Sequence, residues 1–418
     1  MSAEILVLGG GFAGMSTVHA LERKAPRNVN LTLVSRENYL LFTPMLPEVA
    51  SGSIEARHIV QPLRAGLRRT RFVLGEAQGI DVHGRTVTLQ HPVLKTRSQL
   101  RFDHLIIALG SQTSTFGLPG IHEHTVPLKT LADATELRRR IVGAFEAAAG
   151  ASDRVVRDRF LRFVIVGGGF TGVETAGELT GFIRNLRRYY PSLDGLRPEI
   201  IVVEDERQLL SELPDRFGKR AALSLRKRGV SLQFGERVAS ADADGLFLQS
   251  GKRLESATIV WTAGVQPAPA VKELGLQTSK KGALIVNPDL SVPGVEGIWS
   301  VGDCAQVPKR SGGSYAPLAQ NAVREGPHLA RNLLASLRGK PTRPFKYQRL
   351  GMMASLGDRD AVAELPGKRM LSGLPAWLLW RSYYLSRLPG LPRKIRVAMD
   401  WTMSGVFARG VACVSLIK

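Results

Sequence analysis

A glycine-rich turn occurs twice in this chain, each time after a short apolar run and before a helix-forming stretch. The first copy runs from Ile5-Leu6-Val7-Leu8 into Gly9-Gly10-Gly11-Phe12-Ala13-Gly14, the second from Phe163-Val164-Ile165-Val166 into Gly167-Gly168-Gly169-Phe170-Thr171-Gly172. In such a turn the first glycine (Gly9, Gly167) makes the tight bend and the second (Gly11, Gly169) lets a pyrophosphate approach the backbone. The third (Gly14, Gly172) packs helix against strand. The helix that follows aims unpaired N–H groups and its positive dipole end at the phosphates. A lone turn of this kind also serves ordinary strand-to-helix corners. Here the surroundings repeat as well: an acidic-ended or polar-ended strand (31–35, then 200–204), a run of short strands, and a closing strand ending on Gly110 and then Gly264. Two motifs inside one internal repeat, offset by about 158 residues, predict an α/β fold with two Rossmann-like dinucleotide-binding domains.

Length and charge bound the rest. The 418 residues suggest roughly three domains of ~100 to 200 residues, or two with an appendage. Lys plus Arg outnumber Asp plus Glu by 57 to 36, a formal net charge of +21, which favours an anionic partner such as nucleic acid or anionic lipid. Cys304 and Cys413 stand far apart with no C-x-x-C, which argues against a disulfide framework, a thiol-disulfide relay or a cysteine-held metal. The first strand begins too early for a leader, and no apolar run reaches the ~18 residues of a membrane span. A reducing cytosol, with the chain soluble or lying on a surface, is the expectation, and a bacterial source follows from the missing transit peptide.

In chain order, the second strand ends at Ser35-Arg36, where an acid usually grips the nucleotide ribose. Residues 39–52 (YLLFTPMLPEVASG) are too apolar for a surface loop and read as core or as the wall of a flat ligand's site. Residues 131–161 read as a solvated helical hairpin linking the repeats. Glu204 closes the equivalent strand of the second repeat and favours NAD over NADP, since a carboxylate accepts from a ribose 2′-hydroxyl and repels a 2′-phosphate. Glu174, two residues past Gly172, is expected in the first helical turn, either complementing the helix dipole or holding a proton near a reactive ring. Gly302-Asp303 ends another strand, and a helix beginning after Pro317 places Ala319 and Gln320 in its first turn.

From Leu365 the composition shifts. Trp377, Trp380 and Trp401 fall there with Tyr383 and Tyr384, and basic residues from Lys368 to Lys418 face a single acid, Asp400. Ile395, Ala398, Met399, Met403, Val406 and Phe407 recur at helical spacing. This is the pattern of a helix in a membrane interface, with Trp and Tyr at headgroup level, or of one packed on the body or in a homodimer.

These stretches together resemble the type II (non-proton-pumping, alternative) NADH:quinone oxidoreductases. The segments that carry the likeness are GGGFAG (9–14), NYLLFTPMLPEVASG (38–52), GGGFTGVETAGEL (167–179), WTAGV (261–265), GIWSVGDCA (297–305), LAQNA (318–322) and the Trp-rich basic tail. The resemblance implies FAD on residues 1–115 with 285–340, NADH on 116–284, and a membrane quinone reached through 341–418. It assigns Gly9, Gly11, Phe12, Ala13, Gly14, Ser35, Arg36, Ala77, Ala108, Gly110, Gly302, Asp303 and Ala319 to FAD. Gly167, Gly169, Gly172, Glu204 and Gly264 fall to NAD, with Glu174 and Gln320 at the chemistry and no metal. The enzyme is then peripheral on the cytoplasmic face of a bacterial inner membrane. Two departures stand out: Ser35 replaces the common acid, and Arg324 stands where many members carry a second glutamine. The rivals are a sulfide:quinone oxidoreductase, which needs paired cysteines, and a redox-responsive flavoprotein docking on nucleic acid, for which no motif appears.

Overall fold

The computed structural model describes residues 3–348, 351–407, 409, 410 and 412. Cys413, Lys418 and the side chain of Lys368 lie outside the described residues. Two compact units emerge, one of Met1–Leu41, Val60–Gln112 and Val265–Gln348, the other of Phe42–Ile59, Thr113–Gly264 and Arg349–Lys418. The boundaries therefore differ from the expected 1–115/285–340, 116–284 and 341–418. Residues 42–59 join the second unit because Glu48, Ser51 and Ser53 all bond to side chains there.

The first unit is built on a five-stranded parallel sheet in the spatial order Ile298–Ser300, His104–Ile107, Ala3–Leu8, Val29–Ser35, Arg71–Leu74. The central strands are apolar on both faces, as a sheet covered on both sides requires, and Val7, Leu8, Leu33 and Ile106 are fully buried. Helix Phe12–Lys24 packs against helix Ala319–Ser336. That approach is close because residue 326 is glycine: a Cβ there would run into the Ser16 hydroxyl and stand 2.8 Å from the Ala13 carbonyl oxygen. An antiparallel meander (Glu76–Asp81, Thr86–Gln90, Arg97–Arg101) completes the repeat.

The second unit repeats the plan, with the parallel order Val126–Pro127, Thr258–Trp261, Arg162–Val166, Glu199–Glu204, Val230–Phe234 and a meander of Val238–Asp242, Gly245–Leu248 and Arg253–Glu255. To this it adds an antiparallel sheet (Met353–Gly357, Asp360–Leu365, Arg369–Ser372) and two helices, Leu374–Arg387 and Leu391–Val406. Helix Phe170–Arg187 lies on strand Met353–Gly357, where the missing side chain of Gly177 admits the Leu356 backbone.

Two expectations need correction here. The 131–161 segment is no solvated hairpin: Thr130 and Asp133 cap helix Leu131–Gly150 reciprocally, and Leu137, Ile141 and Phe145 are fully buried. On this helix Arg139 and Arg140 both bond Glu136 and hold its carboxyl down at about 2. Nor do the tail tryptophans lie uniformly at an outer surface, since Trp380 and Trp401 are buried. The helical face foreseen in the tail does point outward, with Ile395, Met399, Met403, Val406 and Phe407 exposed and Ala398 half-buried, while Val397 is turned in and Leu391 adds to the exposed side. No helix among the described residues is long and apolar enough to cross a membrane.

Candidate functional site

Both glycine turns have the geometry of a phosphate cradle. Gly9 and Gly167 sit at φ +109° and +103°, in conformations L side chains rarely adopt. A Cβ on Gly9 would collide with the Ala108 carbonyl, and Cβ atoms on Gly14 and Gly172 with the carbonyls of Gly9 and Gly167. Gly11 and Gly169 are different: nothing lies within 4 Å of where their Cβ would be. The outer glycines are thus demanded by packing, whereas the middle ones border open space at the start of a helix, which fits the pyrophosphate of FAD and of NADH. Phe12 and Ala13 open the first of those helices.

The strand ends after the turns correspond across the repeat. Ser35 ends one strand and its hydroxyl stands 2.8 Å from the Cβ position of Gly10; Glu204 ends the other, with Oε2 2.7 Å from that of Gly168. Glu204 is nearly buried and accepts the Gly168 and Glu206 N–H groups, the latter at 2.9 Å. Burial pushes its carboxyl above the usual range. Arg36 is exposed and reaches Glu37 and Glu76 at 3.8 and 3.9 Å.

In the first unit, Gly302 adopts φ +77° and its N–H donates to Glu325 Oε2 at 2.7 Å. Asp303 accepts from the Ser111 hydroxyl at 2.6 Å, one residue beyond Gly110. Ala77 and Ala108 are buried in the same core. Ala319 opens its helix and Gln320 follows, its Oε1 3.3 Å from the Tyr347 hydroxyl. Arg324, the departure from the family pattern, donates to the Gln320 carbonyl at 2.7 Å and lies over the Tyr347 ring at 4.3 Å. Cys304 is fully buried and burial drives its thiol up to about 11, so it is no reactive thiolate.

Gly264 in the second unit has φ +139°, and its Cβ position lies 2.8 Å from the Phe116 ring. Phe116 holds φ +52°, rare for an aromatic residue, and packs edge-on against Trp261. Glu174 belongs to the second turn of its helix, not the first, and no acid occupies the first turn. A dipole-complementing role is thereby removed. Its Oε1 accepts the Ser355 N–H and the Trp380 indole N–H, both at 3.0 Å. Burial raises its carboxyl to about 8, against the pull of those two bonds.

Sequence reasoning missed Glu48, Glu178 and Glu325, all nearly buried. The signals were present: Glu48 is a lone acid inside the apolar 39–52 stretch, and Glu178 is one turn beyond Glu174. Glu325 follows Arg324 and points to the Gly302 turn, and burial lifts its carboxyl to about 7.

Comparison with known proteins accords with this geometry. The pyridine nucleotide-disulphide oxidoreductase family profile matches residues 3–326, and the NDH2 C-terminal domain profile matches 349–410. The type II NADH:quinone oxidoreductase Ndh of Mycobacterium tuberculosis is 33% identical over 97% of this chain and 88% of its own length. A probable NADH dehydrogenase of Dictyostelium discoideum is 30% identical over 98% and 91%. In structure, the NDH2 of Plasmodium falciparum solved with NADH superposes with a TM-score of 0.90 over 99% of this chain and 100% of that one, at 19% identity, and so shares the fold. By profile and by sequence, the chain belongs to the type II NADH:quinone oxidoreductase family.

Proposed function

We propose that this protein is a non-proton-pumping, FAD-dependent NADH:quinone oxidoreductase that works at a membrane surface. The observation that carries the reading is the pair of open cradles at Gly11 and Gly169, flanked by closed glycines, in a chain of this family. FAD, when bound, supplies a centre that accepts a hydride and returns an electron pair. Gly9, Gly11 and Gly14 hold its pyrophosphate at the helix start, and Asp303, fixed by Ser111, binds the ribityl chain. Gly167, Gly169 and Gly172 hold the pyrophosphate of NADH, and Glu204 accepts from its adenosine ribose. Glu174 keeps a proton at neutral pH and delivers it to the quinone oxygen that receives electrons; Gln320, in the first turn of its helix, faces the flavin.

The exposed stripe Leu391, Ile395, Met399, Met403 and Val406 docks on anionic lipid, to which the net charge of +21 draws the chain. We assign it to the cytoplasmic face of a bacterial inner membrane, and a homodimer is compatible with the same tail. Stopped-flow absorbance of the FAD-loaded protein tests the function. Mixing with NADH should bleach the flavin, and mixing next with a short-chain quinone should restore its colour. Bleaching without restoration would assign a different electron acceptor, and no bleaching would remove NADH from the second cradle.

A further inference from the structure

Phe116 occupies a turn position that disfavours phenylalanine. Phe116 and Gly117 both have positive φ, +52° and +70°, and the Leu118 N–H closes the turn on the Thr115 carbonyl at 3.0 Å. Positive φ at both central residues is the signature of a type I′ turn, which favours Asn, Asp or Gly at the first of them. Gly117 meets that demand and Phe116 does not. For an L residue the left-handed conformation crowds Cβ against the following carbonyl oxygen, so a phenylalanine here lowers stability.

Packing does not offset that cost, because the ring is 64% exposed and most of its apolar surface stays in water. Its ring contacts are with Trp261, edge-on with centroids 6.4 Å apart, and with Gly264, whose Cβ position lies 2.8 Å from the ring Cζ. A side chain at 264 would push the ring away. Ser114 holds the turn to this segment. Its N–H donates to the Gly264 carbonyl at 3.1 Å, its own carbonyl accepts the Trp261 indole N–H at 2.7 Å, and its hydroxyl accepts the Phe116 N–H at 3.3 Å.

The register of the sheet says what this ring stands beside. Strand Arg162–Val166, which leads into the second glycine turn, lies between Glu199–Glu204 and Thr258–Trp261, and Val203, Val166 and Trp261 are register partners. The three strands therefore end level. The Cβ position of Gly167 lies 3.0 Å from the Ala263 Cα, and the Thr262 hydroxyl donates to the Val166 carbonyl at 2.7 Å, so residues 262–264 adjoin the cradle directly. A dinucleotide laid across that edge, with its pyrophosphate on the central strand's turn, puts one nucleoside over each neighbouring strand end. Glu204 takes the adenosine ribose on one side. The nicotinamide riboside is left for the other, above 262–264 and beside Phe116.

We infer that Phe116 binds the nicotinamide half of NADH: its ring, held over Gly264 by the left-handed turn, is the apolar wall on which the nicotinamide riboside packs. This rests on the reading of the second cradle as the NADH site. A flat ring with two rotatable bonds excludes water from one side of the riboside and makes no polar demand of its own. Because the turn is already fixed, the wall stands in place before the dinucleotide arrives, and little ordering remains for binding to impose. Gly264 then acts through Phe116, as a positioning residue that leaves room for the ring.

The test is equilibrium titration of full-length, FAD-loaded protein with two ligands. Tetrahydro-NADH carries the whole dinucleotide but gives up no hydride, and ADP-ribose lacks the nicotinamide. Phe116→Asn supplies the residue the turn favours and removes the ring, whereas Phe116→Tyr keeps the ring. F116N should unfold at the wild-type temperature or above it, since backbone strain is relieved. Its Kd for tetrahydro-NADH should rise roughly five- to tenfold with its Kd for ADP-ribose unchanged, and F116Y should bind both as the wild type does. A purely structural role would weaken both ligands together. Unchanged tetrahydro-NADH binding in F116N, or an equal loss for both ligands, would overturn the assignment of Phe116 while leaving the reductase reading standing. Failure of the wild type to bind either ligand would instead overturn the NADH reading of the second cradle, and this inference with it.

Discussion

Trp401 donates its indole N–H to Glu48 at 2.8 Å across 353 residues of sequence. Trp380 does the same for Glu174 at 3.0 Å. A tail whose composition suggests lipid contact thus also reaches inward to fix two acids, and its exposed and buried faces have separate consequences.

Replacing Glu174 by Gln keeps the hydrogen bonds from Ser355 and Trp380 within reach but removes the transferable proton. Quinone reduction should fall by about a hundredfold, while flavin bleaching by NADH stays near the wild-type rate. In the wild type, the proton is present below about pH 8 and lost above it, so the quinone step should decline on the alkaline side of that value. Separate half-reaction rates against pH measure both.

Stability should respond to the same acids. Glu48 and Glu174 each rise from an ordinary 4.5 to about 8 in the folded chain. Between those values the folded state holds protons the unfolded state has released, so stability falls as pH rises through that window and levels off above it. In Glu48→Gln the deficit from that site disappears. Its unfolding midpoint relative to wild type should climb from about pH 5 to about pH 8; a constant difference in denaturant titrations would contradict the shift at Glu48.

The two kinds of cradle glycine should separate experimentally. Gly11→Ala adds a methyl group to open space, so the chain should fold with a stability change of about 0.5 kcal/mol or less yet lose most of its FAD. Gly14→Ala drives a Cβ into the Gly9 carbonyl and should cost about 3 kcal/mol or more. Flavin absorbance per protein and thermal unfolding of the flavin-free chains distinguish them.

Glu204→Gln removes the negative charge beside the expected ribose. The preference for NADH over NADPH, as a ratio of kcat/KM values, should drop by roughly tenfold, equivalent to ~1.4 kcal/mol. An unchanged ratio would take Glu204 out of the specificity role.

Changing Ile395, Met399 and Met403 together to Ser should release the chain from anionic liposomes, since each exposed side chain contributes about 1 kcal/mol or more when it enters the interface. NADH should still bleach the flavin at the wild-type rate. Co-sedimentation at wild-type levels would move the docking surface elsewhere.

The repeat was legible in the sequence because backbone demands decide it: Gly9, Gly14, Gly167 and Gly172 are required by collisions a few residues away, so local spacing suffices. Glu204 and Ser35 were legible for the same reason, standing at strand ends whose place follows from the turn. The acids were harder. Glu174 could be singled out by position, but its role as dipole complement or proton carrier depended on Ser355 and Trp380, 181 and 206 residues away. The burial of Leu137, Ile141 and Phe145 was hidden by the arginines around them. The sheet of Met353–Gly357, Asp360–Leu365 and Arg369–Ser372 carried too few residues per strand, and too many alanines, for an alternating pattern to declare itself.

The excursion of residues 42–59 out of the first unit and into the second gives the molecule a topology that gene splitting cannot respect. A fragment covering 113–264 contains the whole parallel sheet of the second unit yet lacks Glu48, Ser51 and Ser53, and it leaves Glu178 without those hydroxyl donors. A fragment ending at 112 carries that segment away from its packing partners. The duplicated halves share the plan of their parallel sheets, but the chain passes between the units at 41/42, 59/60, 112/113, 264/265 and 348/349, so neither half is a contiguous cassette that can be expressed or swapped by itself.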